Sequence, residues 1–166
     1  MIEKVILGFG SNAGNRFLNI KKAVKHVYLS RDFDILKLSS IYETEPWGFI
    51  NQNNFLNCTA VCLYRSSPFR LLENLKEIEK LCGRMKREKW REREIDIDIL
   101  FYGDKVVREK GLRIPHPRLQ DRNFVLMPLN DLIPGYVHPV LGSTIQHLYM
   151  HTTDICKVML YKKQLI

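Results

Sequence analysis

The chain has 166 residues, of which 45% are hydrophobic and 10% aromatic, and its formal net charge is +8 at pH 7. This length suits a single domain over residues 1–166, and the apolar content is ample for a packed core, which argues against disorder. The positive balance points to nucleic acid, a phosphorylated substrate or an acidic membrane as partner. Half of the excess lies in residues 84–93, where six cations face two carboxylates. A local phosphate site therefore explains the charge as economically as a broad nucleic-acid surface.

The beginning of the chain and its cysteines indicate a cytoplasmic protein. The first apolar run is too short to cross a membrane, and it lacks the basic, apolar and small-residue order of a secretory leader. The four cysteines show no CxxC motif and no zinc spacing. Cys58 and Cys62 fall on one predicted strand, about 13 Å apart, too far for a mutual disulfide. We therefore expect reduced, buried thiols.

Hydrophobic periodicity predicts two long helices and four strands in the order strand, helix, strand, strand, helix, strand. The first helix follows a Gly- and Asn-rich turn at residues 10–15 and carries apolar residues at helical spacing. The second begins at Ser67-Pro68, a favourable helix start, and Gly83 suits the position just past its end. The four strands are predicted at residues 4–10, 34–42, 55–64 and 95–102.

The remaining C-terminal part is predicted to hold a small hairpin near residues 106–107 and 112–114, and short helices at 124–132 and 143–150. Together, the elements indicate an α+β fold, a ferredoxin-like βαββαβ sandwich with an antiparallel four-stranded sheet and a C-terminal extension of short helices. Both long helices would cover one face of the sheet. The other face would be free to carry a site.

Asp96 and Asp98 are the first candidate site residues. Two residues apart on a strand, they point the same way with Cα atoms about 6.5–7 Å apart. Two unneutralised carboxylates would repel each other there, whereas Mg²⁺ held by one or two carboxylates and substrate phosphates would remove the penalty. An amphipathic strand with a wet face is the alternative, although Asp is depleted in strands. The pair alone leaves both interpretations open.

The basic run before these aspartates is either a solvated loop or a mobile arm that closes over a triphosphate. Trp90 stands among its cations and favours the second interpretation, because an exposed indole usually has a stacking partner. Carboxylates for metal beside arginines for phosphate indicate phosphoryl-type transfer, in which positioning and charge neutralisation do most of the catalysis. The chain has no GxxxxGK[ST] motif, and Gly8-Phe9-Gly10 lacks the third glycine of a dinucleotide fingerprint.

Two further groups of residues are weaker candidates. His116 lies between two prolines, with Arg118 and Arg122 close behind it. A lone histidine is usually structural, but the fixed backbone would suit a phosphate donor. Phe55 and Asn57 share one face of a strand, and an aromatic ring beside an amide suits a flat heterocycle. Phe55 could equally belong to the core.

Four segments occur in order at spacings typical of one family: GFGSNAGNR, IYETEPWGFINQNNFLN, WREREIDIDILFYGD and IPHPRLQDRNFVLMPL. With them, the chain resembles the 6-hydroxymethyl-7,8-dihydropterin pyrophosphokinases of folate biosynthesis from residue 5 to about residue 132. The resemblance implies a ferredoxin-like enzyme that moves the β,γ-pyrophosphoryl group of ATP onto the hydroxymethyl oxygen of a reduced pterin and releases AMP. It also implies small-molecule substrates, no nucleic acid or membrane partner, and a monomer.

The resemblance further implies roles for individual residues. Two Mg²⁺ ions would bridge Asp96 and Asp98 to the triphosphate, with Arg84 and Arg93 as catalytic loop arginines. The nucleotide contacts would come from Glu79, Trp90, Arg93, Ile99, Leu112, Arg113, His116 and Arg122. The pterin contacts would come from Thr44, Trp47, Phe55, Asn57 and Phe124.

The chain departs from the family pattern in its basic loop. Arg91 stands where the family usually has a small residue, and the loop from 84 to 90 is one residue shorter than in some relatives. Whether Lys86 or Arg87 takes the role of the next loop arginine is left open. An RNA-binding module shares the strand order but would not place paired aspartates against a phosphodiester backbone. A Mg²⁺-dependent nuclease would not explain Phe55 and Asn57.

Overall fold

The computed structural model describes residues 2–46, 51–85 and 91–165. Within these ranges, the elements follow the predicted order, except that one predicted strand is divided into two, and they continue into a C-terminal extension. They are β1 (Glu3–Ser11), α1 (Arg16–Leu29), β2 (Phe33–Leu38), β3 (Ile41–Thr44), β4 (Phe55–Tyr64), α2 (Pro68–Leu81), β5 (Asp96–Tyr102), β6 (Val107–Glu109), β7 (Leu112–Ile114), α3 (Asn123–Leu132), α4 (Ile145–His151) and β8 (Val158–Lys162). The ferredoxin-like α+β fold is confirmed.

Both long helices begin at the side-chain caps that their sequences provide. The Asn15 side chain accepts a hydrogen bond from the backbone N–H of Leu18 at the start of α1, and Ser67 does the same for Arg70 in α2. The buried positions of both helices recur every three or four residues, so each helix turns one apolar stripe towards the sheet. The chain leaves α2 through Gly83, whose φ of 89° is a conformation that glycine adopts at little cost.

Among the described residues, the main sheet has six strands instead of the predicted four. It is antiparallel throughout, with the order β5-β1-β4-β3-β8 and with β2 paired to β4 beside β3. The predicted strand at 34–42 is therefore two strands that follow one edge of β4. The break lies at Ser39, which is buried and exchanges hydrogen bonds with Thr59 through its backbone N–H and its hydroxyl. The hydroxyl of Ser39 thus takes the place of a backbone acceptor in the hydrogen bonding between the strands. The apolar pattern of the sequence did not indicate this break.

One face of the sheet packs against α1 and α2 around residues such as Leu7, Cys58 and Ile97. The prediction that the other face is free is correct for only half of that face. Around Val61 and Phe101, a second apolar cluster packs against α3 and α4. Apolar side chains project from both faces of these strands. Since α1 and α2 cover one face, the C-terminal helices are needed to remove the apolar side chains of the other face from water.

A β-bulge in β5 separates the covered half of this face from the open half. Leu100 has no partner on β1, because Ile6 pairs with Phe101 and Leu7 pairs with Ile99. Leu100 and Phe101 consequently both join the second apolar cluster, although they are adjacent in sequence. The polar positions of β5 that precede the bulge stay on the open half.

The predicted hairpin is formed by β6 and β7, whereas β8 was not predicted. In the edge strand β8, Met159, Leu160 and Tyr161 are all about half exposed. The strand therefore lacks the alternation of apolar and polar residues from which a half-buried strand is predicted. Among the described residues, no helix combines the length and the apolar character that a membrane crossing requires.

Candidate active site

The floor of the candidate site is a strip of three strands on the open half of the sheet. In the strand register, Gly10 lies between Asp96 and Asn57, and Gly8 lies beside Asp98. A Cβ atom on Gly10 would lie only 3.1 Å from the Oδ1 atom of Asn57. The glycines therefore leave a trough between the carboxylates of β5 and the amide of β4.

A first pocket lies over this floor and combines aromatic, amide and basic groups. Its lining includes Phe55 and Phe124, Thr44, Gln52 and Asn57, Asp96 and Asp98, and Arg91, Arg93 and Arg122. The structure thus brings the aromatic residues of two distant segments to one cavity. A flat, partly polar ring is the kind of ligand that such walls suit.

The amide of Asn57 has a fixed orientation in this pocket. Its Nδ2 atom donates a hydrogen bond to the Oγ1 atom of Thr44 over 2.8 Å, and both residues are buried. This bond leaves Oδ1 above Gly10, where it can accept a hydrogen bond from a ligand N–H group.

A second pocket opens on the other side of Asp98. It is lined by Leu72 and Lys76 of α2, Ile97, Asp98 and Ile99 of β5, the hairpin residues Glu109–Arg113, and His116 and Pro117. Its lining combines apolar side chains with the cations Lys76, Lys110 and Arg113. Asp98 belongs to both pockets, so a ligand in one would meet a ligand in the other at this carboxylate.

Asp96 is held by two arginines. One Nη atom of Arg84 lies 2.8 Å from its Oδ1 atom, and Arg93 forms an ion pair with Oδ2. Arg84 also pairs with Glu79. Both oxygens of Asp96 are therefore in contact with guanidinium groups.

Asp98 has a different electrostatic environment from that of its neighbour. Burial raises the pKa of Asp98 well above its usual range, and the Asp96 carboxylate raises it further, against smaller opposing effects of Arg122 and Lys76. A carboxylate that is poorly compensated in a cleft marks a place where a cation would be stabilised.

His116 is placed as a neutral hydrogen-bond donor. Burial and the neighbouring Arg122 lower the pKa of His116 to about 4, so the ring is uncharged at neutral pH. Its Nδ1 atom accepts a bond from the backbone N–H of Arg118, which leaves the proton on Nε2. The backbone N–H of His116 donates to the carbonyl of Leu100, the bulged residue of β5.

Glu79 lies behind the site rather than in either pocket. Its side chain is 2% exposed, its Oε1 atom accepts a bond of 2.8 Å from the N–H of Ile97, and Lys76 lies 3.0 Å from Oε2. Glu79 thus joins α2 to the residue between the two aspartates, and through Arg84 it reaches Asp96. Its predicted nucleotide contact stays a prediction.

The structure brings most of the predicted site residues to the two pockets. The first contains Thr44, Phe55, Asn57, Arg93, Arg122 and Phe124; the second contains Ile99, Leu112, Arg113 and His116. Arg84 reaches the site through Asp96. Trp47 and Trp90 lie outside the described residues, as do Lys86 and Arg87. The roles of all these residues remain predictions.

Several residues of the site were missed in the sequence. No site role was predicted for Gly8 and Gly10, yet their spacing of two on a strand is the signal that they share one face. Lys76 lines the second pocket without any motif around it. Asn12 is completely buried beneath the loops of the site, and nothing in its local sequence indicates that position.

The two aspartates fit a hard divalent cation that takes its remaining oxygen ligands from substrate and water. They lie on the same face of β5, they line one cavity, and burial together with the Asp96 carboxylate raises the pKa of Asp98. Within the described ranges, no group of three or more His, Cys, Asp or Glu side chains could hold a metal ion.

Comparison with known proteins is consistent with this geometry. The family described as 7,8-dihydro-6-hydroxymethylpterin-pyrophosphokinase matches residues 6–134. The chain is 46% identical over 149 residues to the 2-amino-4-hydroxy-6-hydroxymethyldihydropteridine pyrophosphokinase of Aquifex aeolicus, covering 90% of this chain and 92% of that protein. It is 41% identical over 154 residues to the folic acid synthesis protein fol1 of Pneumocystis carinii, covering 92% of this chain but 20% of that longer protein.

Among solved structures, the fold is similar to wild-type Plasmodium falciparum HPPK-DHPS with pteroate, with a TM-score of 0.73 and 20% identity. The match covers 90% of this chain and 42% of the Plasmodium chain. At this identity the likeness concerns the fold.

Proposed function

Because the chain belongs to the 7,8-dihydro-6-hydroxymethylpterin-pyrophosphokinase family, we propose that it transfers pyrophosphate from ATP to 6-hydroxymethyl-7,8-dihydropterin in folate biosynthesis. The products are the pterin diphosphate and AMP. The observation that carries the proposal is the meeting of two chemically different pockets at Asp98. One pocket suits a flat heterocycle, the other suits a phosphorylated ligand, and the reacting groups of the two substrates have to meet.

The pterin occupies the first pocket in this proposal. Phe55 and Phe124 provide aromatic surface for the ring system. Asn57, oriented by Thr44, presents its amide oxygen to an N–H group on the edge of the pterin. The hydroxymethyl group would then point along the glycine floor towards the aspartates.

ATP occupies the second pocket. Ile99 and Leu112 offer apolar surface to the adenosine, and Arg113 stands at the rim. Lys76 and the Nε2–H group of His116 are donors for the phosphates. A neutral histidine at this place donates a hydrogen bond without depending on pH in the physiological range.

Asp96 and Asp98 are the residues that would hold Mg²⁺, with two ions expected from the family resemblance. When bound, Mg²⁺ neutralises phosphate charge and lowers the pKa of the attacking hydroxyl group. Arg84 and Arg93, which contact Asp96, would be the cations available to the pyrophosphoryl group that is being transferred. Cations positioned where negative charge develops are a major source of catalysis in such reactions.

The transfer itself exchanges one P–O bond for another. The hydroxymethyl oxygen forms a bond to the β-phosphorus of ATP, while the bond from that phosphorus to the oxygen shared with the α-phosphorus breaks. That oxygen leaves with AMP. The hydroxyl proton is lost as the new bond forms, and Asp98 is the ionisable side chain at the junction that can accept it.

The proposal is tested by measuring AMP release from ATP with the pterin substrate, with and without Mg²⁺. We expect AMP release to need both the pterin and the metal, and Asp96→Ala to lose at least about 1,000-fold in turnover, since the variant removes a metal ligand. Asp34→Ala is the matched control, because Asp34 is a half-exposed aspartate on β2 that pairs with Arg65 away from the site. AMP release that is independent of the pterin, or an undiminished Asp96→Ala variant, would contradict the proposal.

A second expectation concerns competition between Arg84 and a divalent cation for Asp96. Arg84→Ala frees one carboxylate oxygen and removes a nearby positive charge, so Mn²⁺ should bind the nucleotide-free protein at least about threefold more tightly. Electron paramagnetic resonance of free Mn²⁺ measures this affinity. Arg70→Ala is the control, since Arg70 is exposed on α2 and pairs with Glu73. Weaker Mn²⁺ binding by Arg84→Ala than by Arg70→Ala would show that the two cations do not compete.

A further inference from the structure

Asn12 lies at the centre of a network that connects the two sides of the site without lining the first pocket. It follows the last residue of β1 and is completely buried. On one side it contacts the segment that leads into Phe55, and on the other it contacts Arg93. Both segments line the first pocket, one through Gln52 and the other through Arg93.

Both the N–H group and the carbonyl group of the Arg93 backbone form hydrogen bonds with the Asn12 segment. The N–H of Arg93 donates to the Oδ1 atom of Asn12 over 2.8 Å. The carbonyl of Arg93 accepts from the backbone N–H groups of Asn12 and Ala13, over 3.0 and 3.1 Å. Because the Arg93 side chain pairs with Asp96, the position of this backbone determines where the guanidinium group can reach.

The contacts on the other side use the amide donor of the same side chain. The Nδ2 atom of Asn12 donates to the Oε1 atom of Gln52 over 3.0 Å and to the carbonyl of Asn53 over 3.3 Å. Gln52 lines the first pocket, and the side chain of Asn53 makes a separate bond of 3.0 Å to Glu92. The segment at 52–53 and the segment at 92–93 are thus joined at two points.

An asparagine side chain suits this junction because it combines one acceptor and two donor hydrogens in a rigid plane. Both functions are used at once, in a position without access to water. Any movement of the 52–53 segment that accompanies ligand binding in the first pocket is then transmitted to the Arg93 backbone, and the reverse transmission follows by linkage.

We propose that Asn12 is a positioning residue that couples occupancy of the pterin pocket to the placement of Arg93, so that each substrate strengthens the binding of the other. The inference relies on the proposed function for the identity of the two ligands. The role of Asn12 concerns binding and not turnover. A binding experiment can therefore distinguish a failure of this role from a failure of the proposed function.

The test is a set of calorimetric titrations of the pterin in the absence and presence of Mg²⁺ and α,β-methylene-ATP, a nucleotide that cannot transfer its pyrophosphoryl group. In the unaltered protein, we expect the nucleotide to tighten pterin binding by at least about fivefold, the lower end of common coupling between sites. In Asn12→Asp, which keeps the acceptor for Arg93 but loses the donor to Gln52 and Asn53, this factor should fall to within about twofold of unity. In Asn12→Ala it should fall equally.

Asn19→Ala is the matched control. Asn19 supports the same turn, with bonds from its amide to the carbonyl of Ala13 and the hydroxyl of Ser11, but it makes no hydrogen bond to either segment. It should keep the coupling factor of the unaltered protein. Circular dichroism and unfolding midpoints identify any variant that fails to fold, and the nearly isosteric Asn12→Asp remains informative if Asn12→Ala is lost.

The outcomes are distinct. If the unaltered protein does not bind the pterin or the nucleotide, the proposed function fails. If it binds both, but without coupling, or with a coupling factor that Asn12→Asp leaves unchanged, the role of Asn12 is overturned. An equal loss in Asn19→Ala also overturns it, because the effect would then belong to the turn as a whole.

Discussion

Replacing Asp98 with asparagine is expected to abolish AMP release and, at the same time, to stabilise the ligand-free protein above neutral pH. The carboxylate lies where the two pockets meet, so its loss removes a proposed metal ligand at the reacting centre. In the absence of ligands, however, the ionised side chain is a cost to the fold. Burial and the Asp96 carboxylate disfavour its charge, and the raised pKa of Asp98 expresses that cost.

The sign of the pH dependence follows from proton linkage. The folded pKa of Asp98 is raised above the unfolded value of about 3.9. Between these two values the folded protein binds more protons than the unfolded chain, so the contribution of Asp98 to stability falls as pH rises through this window. Asparagine is neutral at every pH and avoids the loss. The stabilising effect of Asp98→Asn should therefore be present at about pH 8 and vanish near pH 4.

Thermal unfolding of the ligand-free variants at several pH values measures this effect. We expect Asp98→Asn to gain about 1 kcal/mol or more at the higher pH, which corresponds to ~2–4 °C in Tm for a chain of this size. Asp34→Asn serves as the control, because Asp34 is half exposed and paired with Arg65. A gain that is the same at both pH values would assign the stabilisation to packing instead of charge.

Replacing Glu79 with alanine is expected to produce the largest loss of stability among the residues around the site, about 3–5 kcal/mol. The carboxylate is almost completely buried and has three partners: Lys76, Arg84 and the backbone N–H of Ile97. Its removal leaves the N–H group buried without its acceptor and takes one carboxylate from the partly buried Arg84, and both changes are unfavourable. Glu79→Gln keeps one acceptor and should lose less.

Urea unfolding of both variants checks the expectation, with Glu73→Ala as the matched control. Glu73 lies on the same helix, but its side chain is exposed and pairs only with exposed Arg70 among the ion pairs of the described residues. Its removal should leave the unfolding midpoint unchanged. Glu79→Ala should also lower AMP release, since Ile97 stands between the two aspartates. A Glu79→Ala variant as stable as Glu73→Ala would exclude the proposed anchoring role.

Much of the framework could be predicted from local sequence. Both long helices begin at their capping residues and bury the predicted stripe, because capping and helical periodicity act within a few residues. The bounds of β4 were predicted correctly, since its ten residues alternate between two chemically different faces, one of which carries Asn57 and Thr59. The shared face of Asp96 and Asp98 follows from strand geometry alone.

The sequence by itself thus determined which residues form each long element and which side chains of a strand point together. Tertiary structure alone decided what those side chains meet. The bulge at Leu100, the glycine floor beneath Asn57 and the arginines on Asp96 all depend on pairings between segments that lie far apart in the chain. Periodicity reports only the direction of a side chain relative to its own backbone. Its partner depends on strand register and on which faces the C-terminal helices cover, and both are set by the packing of the whole molecule.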